Sequence, residues 1–130
     1  MTNVEIVQRG YENFKRGNID ALLGSLSDDI VWELPASAGV PFSGQFKGKS
    51  GVAQFFQNVA ATNDLKEFEV EKLIAEGDVV VALGHLRATA KTTGKTSQNK
   101  WAHVWNLQNG KVVRHYEYAD TAEIFDAFHK

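Results

Sequence analysis

The segment from Trp101 to Thr121 constrains the fold most strongly, because it has the pattern of a β-hairpin with titratable groups where a core should be. Two stretches rich in Val, Trp and Tyr flank Asn109-Gly110. Asn-Gly between alternating apolar stretches is the strongest short-range signal for a hairpin. The titratable side chains of this hairpin that can carry chemistry are His103, His115 and Glu117.

The length of the hairpin loop decides which of these side chains share a face. A two-residue type I′ turn would place His103 beside tyrosines of the second strand. A loop with an odd number of residues, in which Gly110 adopts the left-handed conformation and forms a bulge, would bring His103, His115 and Glu117 to one face. The sequence leaves both registers open.

The composition describes one ordinary domain of 130 residues, with 43% hydrophobic and 23% charged residues. Fourteen Lys and Arg against sixteen Asp and Glu give a formal net charge of −2 without a basic cluster, so we expect no nucleic-acid partner. The absence of cysteine excludes disulfides and thiolate chemistry. The N-terminus lacks the apolar centre of a signal peptide and no long apolar run occurs, which predicts a cytoplasmic protein without a membrane partner.

The N-terminal segment has the periodicity of an amphipathic helix. Its apolar residues recur at positions 4, 7, 11 and 14, and Thr2 with Glu5 resembles a capping box. We therefore predict a helix over residues 3–16, with an apolar stripe that a sheet must cover. Asn18 is expected to cap a short second helix that ends near Leu26.

A short strand, a loop and a third helix are expected next. The extended run from Ile30 to Leu34 predicts a strand that ends at Pro35. Residues 35–49 contain both prolines and three glycines, which indicates a loop, and a long loop in a compact domain is often functional. Ser50 is then expected to cap a helix.

The second half of the chain has the pattern of an antiparallel meander. We predict strands over residues 65–76, 79–91, 96–107 and 112–119, joined by glycine-containing turns and by the hairpin loop. Asp120 and Glu123 have the spacing of a capping box, so a last helix should follow, and Asp120 needs no catalytic role. Helices grouped before a sheet predict an α+β domain.

The order of these elements, together with the segments GKSGVAQFF and NGKVVRHYEYADT, resembles the SnoaL-like family of the ketosteroid-isomerase-like, nuclear transport factor 2-like superfamily. The resemblance covers nearly the whole chain as a single domain, residues 1–130. It implies a cone-shaped half-barrel with the N-terminal helices packed in the concave face of a curved, mainly antiparallel sheet, and with a short C-terminal helix. It also implies one apolar pocket and usually a homodimer. Because this scaffold hosts isomerases, cyclases, hydrolases, dehydratases and binders, the fold alone does not define a reaction.

The resemblance allows each known chemistry of this scaffold to be compared with the residues at the matching positions. Two of these chemistries lack their functional residues here. Ketosteroid isomerases have a base before a proline on the first strand and a tyrosine on the first helix, and these positions hold Leu34 and Gly10 here. Their second acid matches His103. The Arg-x-Asp pair of limonene-epoxide-hydrolase-like members matches Gly84-His85-Leu86, so the arginine and its partner are missing.

Polyketide cyclases of the SnoaL type fit better, because they place a histidine on the penultimate strand and an acid on the last strand. These match His103 and Glu117, with Glu in place of Asp, and the extra methylene moves the carboxylate. Desolvation in an apolar pocket raises the pKa of a carboxyl group and makes it a better base. We therefore predict Glu117 as a base and His103 as an acid or an orienting group in proton transfer on a small apolar molecule, with no cofactor.

The side chains expected to contact that molecule are Trp32, Leu34, Phe56, Leu86, Trp101, His115 and Ala119. A metal site made of two histidines and Glu117 is not expected, because such clusters usually serve as hydrogen-bond networks. The alternative is a non-catalytic carrier in which His103 and Glu117 only satisfy each other. Another is an interaction module that dimerises or binds another protein through the outer sheet face, which carries Arg87, Tyr116 and Tyr118. His85 is expected to point to the same face.

Overall fold

Six strands form one curved, open sheet, and the helices pack against its inner face. The computed structural model describes all residues, Met1–Lys130. Its elements in chain order are α1 (Asn3–Lys15), α2 (Ile19–Gly24), β1 (Leu26–Leu34), β2 (Gly44–Lys47), α3 (Gly48–Thr62), β3 (Asn63–Glu76), β4 (Val79–Ala90), β5 (Thr96–Gln108), β6 (Lys111–Ala119) and α4 (Thr121–Phe128). The sheet order is β2-β1-β6-β5-β4-β3. The predicted α+β fold is therefore confirmed.

The four long strands from β3 to β6 form the antiparallel meander that the sequence predicts. β1 then lies beside β6 in parallel and β2 pairs with β1 in antiparallel fashion, so the sheet is mainly antiparallel. No helix is long and apolar enough to cross a membrane. The core joins apolar side chains of α1, α2 and α3 to the inner face of the strands.

The region between residues 25 and 50 departs from the sequence prediction in three places. β1 begins at Leu26, which is fully buried, so α2 ends two residues earlier than expected. The predicted loop contains β2, because Phe46 and Lys47 pair with β1. This pairing keeps the chain extended up to Lys47, so α3 begins directly after it, Ser50 lies inside the first turn, and the predicted Ser50 cap is wrong.

Three predicted helix caps are present, and one of them is Asn18, whose side-chain oxygen accepts a hydrogen bond from the Ala21 N–H at 3.2 Å. The Thr2 hydroxyl accepts a hydrogen bond from the Glu5 N–H at 3.1 Å, and the Glu5 carboxylate accepts one from the Thr2 N–H at 2.9 Å. The Asp120 carboxylate accepts a hydrogen bond from the Glu123 N–H at 3.1 Å. The second half of that box is replaced, because the Asp120 N–H donates to the side-chain oxygen of Asn99 at 2.8 Å.

The β5–β6 turn has two residues. Gln108 pairs with Lys111, and both Asn109 and Gly110 have positive φ angles, of 51° and 79°. This is the geometry of a type I′ turn, whose left-handed second position glycine adopts without strain. An even loop of this kind was expected to place His103 on the face opposite to His115 and Glu117, beside Tyr116 and Tyr118.

A β-bulge inside β6 brings these groups together despite the even loop. The pairing shifts by one residue shortly after the turn, which leaves Val113 without an opposing residue on β5. Beyond this bulge His103 pairs with Glu117 and Trp105 pairs with His115. Residues directly opposite in an antiparallel pair point to the same side of the sheet. The shared face is therefore confirmed, but the expectation that it requires an odd loop is wrong.

Gly84 lets an indole ring lie against the backbone of β4. A Cβ atom added at Gly84 would lie 2.3 Å from Cζ2 of Trp101 and 2.2 Å from the carbonyl oxygen of Glu69. Phe68 of β3 stacks on the same indole, with ring centroids 5.1 Å apart. Any side chain at position 84 would therefore displace Trp101 or separate β3 from β4.

The outer face of the sheet carries a histidine held by two carboxylates. Nε2 of His85 lies 2.7 Å from a carboxylate oxygen of Glu67, and Nδ1 lies 3.2 Å from one of Glu71. The outward orientation predicted for His85 is confirmed. The hydrogen bonds to Glu71 and Glu67 raise the pKa of His85 above its ordinary value.

This arrangement predicts a stability that depends on pH. The pKa of His85 is raised in the folded protein, so protonated His85 adds to the free energy of unfolding. This added stability is fully present below the unfolded-state pKa of about 6.5 and is lost as the pH rises through the folded-state pKa. We expect His85→Gln to lower the Tm near pH 5.5 but to have almost no effect near pH 9, as followed by circular dichroism. A combined Glu67→Gln and Glu71→Gln variant should lose the same pH dependence. A Tm difference that is equal at both pH values would contradict the assignment.

Candidate functional site

A cavity of about 120 Å³ lies between the helices and the inner face of the sheet. Sixteen of its 23 lining residues are hydrophobic, so the polar groups among them are the candidates for chemistry. These are Asn63, Ser97, Asn99, His103, His115 and Glu117, together with the phenol of Tyr11. No Lys or Arg side chain lines the cavity.

Three of these groups form one hydrogen-bonded chain with an indole. Nε2 of His103 lies 3.2 Å from a carboxylate oxygen of Glu117. Nδ1 of His103 lies 2.6 Å from the Tyr11 hydroxyl, which also accepts a hydrogen bond from Nε1–H of Trp105 at 2.9 Å. The resemblance places Asp at this position, and Glu117 is longer by one methylene. Its carboxylate nevertheless lies within hydrogen-bond distance of His103.

The indole of Trp105 determines which atom is the donor in each of these hydrogen bonds. Trp105 Nε1–H can only donate, so the Tyr11 oxygen accepts from it and directs its own proton to Nδ1 of His103. Burial raises the pKa of Tyr11, so the phenol keeps this proton. The imidazole proton of His103 is then on Nε2, and this N–H donates a hydrogen bond to the Glu117 carboxylate.

Aromatic rings on two sides fix the plane of the His103 imidazole. The indole of Trp101 stacks on it with centroids 3.9 Å apart and planes inclined by 14°. The Tyr11 ring is nearly parallel to it at 5.8 Å. His103 is 8% exposed and Glu117 is 16% exposed at their side chains, so both groups are largely shielded from water. A preorganised and dry acid–base pair is the arrangement that proton transfer requires.

His115 is a second, different histidine of the cavity wall. It is 2% exposed, its ring stacks on Trp32 at a centroid distance of 3.7 Å, and it lies 4.8 Å from the ring of His103. Neither ring nitrogen has a protein hydrogen-bond partner. Desolvation, with a smaller effect of the nearby His103, lowers the pKa of His115 well below its ordinary value, so this imidazole is neutral.

The structure brings together most of the residues predicted from sequence. Lining side chains include both predicted catalytic residues and five of the predicted contacts, Trp32, Leu34, Phe56, Leu86 and His115. The other two, Trp101 and Ala119, are not lining residues. They face each other across β5 and β6, and the Trp101 indole stacks on the rings of Phe68 and His103.

Sequence reasoning missed Tyr11, which it treated as one member of the apolar stripe of α1. A buried tyrosine hydroxyl usually finds a hydrogen-bond partner, so a lone tyrosine in a stripe that faces a histidine-bearing sheet is the signal that could have identified it. Tyr11 is adjacent to Gly10, the position that matches the isomerase tyrosine. The structure contains no group of three or more side chains arranged to hold a metal ion.

Comparisons with known proteins agree with this architecture. The SnoaL-like domain family matches residues 7–115. An NTF2-like protein of unknown function from Burkholderia pseudomallei is 28% identical over 100% of both chains, with a TM-score of 0.89. An NTF2-like protein from Burkholderia thailandensis is 26% identical over 100% of this chain and 99% of that chain, with a TM-score of 0.91.

A third similar structure is that of TerC co-crystallised with polyporic acid. It is 24% identical over 98% of both chains, with a TM-score of 0.87, and this likeness shows the fold alone. Comparison with curated proteins finds no match.

The hydrogen-bonded chain predicts a specific effect of Tyr11→Phe. Loss of the hydroxyl leaves Nε1–H of Trp105 and Nδ1 of His103 without a partner, at a cost of about 1–3 kcal/mol for a buried unpaired group. We expect a lower free energy of unfolding in urea and, in ¹⁵N NMR spectra, a changed Nδ1 shift of His103, because Nδ1 loses the hydrogen bond from Tyr11 while Nε2–H still donates to Glu117. Tyr118→Phe is the control, because Tyr118 is 58% exposed. Unchanged His103 nitrogen shifts in Tyr11→Phe would contradict the assigned direction.

Proposed function

Because this chain belongs to the SnoaL-like domain family, whose members generally bind small molecules, we propose that it binds a small, largely apolar molecule in the cavity and moves a proton on it without a cofactor. The observation that supports this most is the chain of Glu117, His103 and Tyr11 at the wall of an otherwise apolar cavity. A carboxylate held by a fixed imidazole in such a place is suited to act as a general base.

The proposed step is the abstraction of a proton from a carbon next to a carbonyl group. The C–H bond breaks, the proton bonds to the Glu117 carboxylate, and the electron pair moves into the carbonyl group to form an enolate. Protonated Glu117 is a weaker hydrogen-bond acceptor than the carboxylate. Nε2–H of His103 can therefore donate to the negatively charged enolate oxygen instead. Return of the proton from Glu117 to a different carbon completes an isomerisation. Alternatively, the enolate carbon attacks a second carbonyl carbon of the ligand, whose π bond breaks to leave an alkoxide. The proton held by Glu117 then passes to this alkoxide, which completes an aldol-type cyclisation.

A non-catalytic ligand carrier is the second candidate. One observation favours it: Tyr11, His103 and Glu117 already satisfy each other, as buried polar groups must. A carrier would bind its ligand without exchanging protons with it, so the two candidates differ in a measurable rate.

Glu117→Gln tests the proposed reaction with cyclohexanone as the probe. We expect the protein to accelerate exchange of the α-hydrogens of cyclohexanone for deuterium in D₂O, measured by proton NMR. Removal of the base should slow this exchange by about 10²- to 10⁴-fold, the usual contribution of a general base. Glu67→Gln makes the same chemical change on the outer face and should keep the wild-type rate.

Two outcomes would contradict the proposal. Equal exchange by the wild type and Glu117→Gln would remove Glu117 as the base. Binding of cyclohexanone by the wild type with no accelerated exchange would favour the carrier.

We also propose that the protein forms a homodimer through the outer face of the sheet. Apolar side chains lie opposite one another there in two rows. One row crosses four strands with Ile74, Val81, Val104 and Tyr116, and the other crosses three strands with Leu83, Ala102 and Tyr118. Tyr118 is 58% exposed, Ile74 is 46% exposed and Leu83 is 37% exposed. Exposed apolar side chains that form a continuous patch are typical of interfaces.

Light scattering tests the dimer. We expect twice the chain mass of 14.4 kDa for the wild type, and about 14.4 kDa for Val104→Glu, which places a charge within the apolar rows. Thr89→Glu, next to the exposed Thr96, is the matched control on the same face and should remain dimeric. A monomeric wild type would contradict the proposal.

A further inference from the structure

The charge of the cavity restricts what it can hold. Glu117 is the one acidic side chain among the lining residues, and no Lys or Arg is present to balance a second negative charge. His115 cannot provide a compensating positive charge, because it is buried and neutral. His103 directs its Nε2–H to Glu117 rather than to the cavity. An anionic ligand would therefore lose its hydration without gaining a cationic partner, and it would lie close to a carboxylate.

The size of the cavity gives a second restriction. Its volume of about 120 Å³ is close to that of an engineered apolar cavity of about 150 Å³ that holds one benzene ring. The lining is dominated by aromatic rings, which contact a flat ring well. One ring with a small polar substituent therefore fits this space, whereas a fused polycyclic molecule exceeds it.

The C-terminal helix and the loop before β2 cover this space. Phe128 of α4 and Phe42 of the loop both line the cavity, with ring centroids 5.5 Å apart. His129 connects the two segments, because its Nε2–H donates to the carbonyl oxygen of Ala38 at 2.8 Å. The ammonium group of Lys95 donates to the carbonyl oxygen of His129 at 2.6 Å, which joins this cover to the β4–β5 turn. A ligand chain that left the cavity on this side would have to displace the cover.

We propose that the ligand is a free, uncharged, single-ring carbonyl compound. Carboxylates, and rings attached to a long chain, are not bound in the cavity. This inference rests on the proposed function for its carbonyl group, because Glu117 and His103 act on a carbonyl compound there. The charge and the size of the ligand are inferred from the lining residues, and the exclusion of a long chain is inferred from the cover. Glu117 then has a second role as the residue that rejects anions.

Benzamide and benzoate test the charge, because they have nearly the same shape and differ in charge. Dissociation constants are measured by isothermal titration calorimetry near pH 7.5 for the wild type, Glu117→Gln and Glu67→Gln. We expect the wild type to bind benzamide at least about tenfold more tightly than benzoate. Glu117→Gln should reduce this ratio, mainly by strengthening benzoate binding. Glu67→Gln removes one negative charge from the outer face and should leave the ratio unchanged.

N-hexylbenzamide tests the cover separately, because it is uncharged but carries a long chain. We expect it to bind at least about tenfold more weakly than benzamide. Comparable or tighter binding of N-hexylbenzamide would overturn the exclusion of rings attached to a long chain.

Three results would overturn the other parts of the proposal. Benzoate binding as tight as that of benzamide in the wild type, or an unchanged ratio in Glu117→Gln, would overturn the charge argument. A failure of both benzamide and benzoate to bind would overturn the size argument. These binding measurements do not depend on catalysis, so a preference for benzamide with no deuterium exchange on cyclohexanone would remove the proposed reaction and keep the ligand class.

Discussion

One extra residue in β6 decides which side chains face the cavity. Without the bulge at Val113, the two-residue turn would leave every later residue of β6 on the opposite side of the sheet, because side chains alternate along a strand. His115 and Glu117 would then face outward and Tyr116 and Tyr118 inward. The hydrogen-bonded pair of His103 and Glu117, the stacking of His115 on Trp32 and the apolar outer rows all depend on this single shift.

The polar part of the site also joins the two layers of the fold. Tyr11 belongs to α1, whereas His103 and Trp105 belong to β5 and Glu117 to β6. Hydrogen bonds among them link the helix to the sheet inside a region otherwise filled with apolar side chains. Such a network is costly when it is incomplete and rigid when every member is satisfied. The groups best suited to chemistry therefore also determine how the first helix lies on the sheet.

Much of the fold could be predicted from local patterns. Helical spacing in α1, alternation in β3 to β6 and the caps at Thr2 and Asp120 are local signals, and each is present in the structure. The pairing of β1 with β2 was not predictable, because a four-residue edge strand within a loop of prolines and glycines has no periodicity of its own.

The site could be predicted only in part. His103 and Glu117 were identifiable as a pair, since opposite positions on a hairpin share a face. The bulge that makes them opposite carries no local mark, because Val113 lies beside another valine in an ordinary strand sequence. The partner of His103 on the first helix is 92 residues away in the chain, so only the packed structure reveals the role of Tyr11.

Gly84 decides which side chain can lie next to it on the inner face of the sheet. Its missing side chain is the space in which the Trp101 indole lies beneath His103. The same position matches the arginine of the epoxide-hydrolase-like pattern. A side chain there and an indole stacked on His103 cannot occupy the same volume, so an arginine at position 84 is incompatible with the observed placement of Trp101.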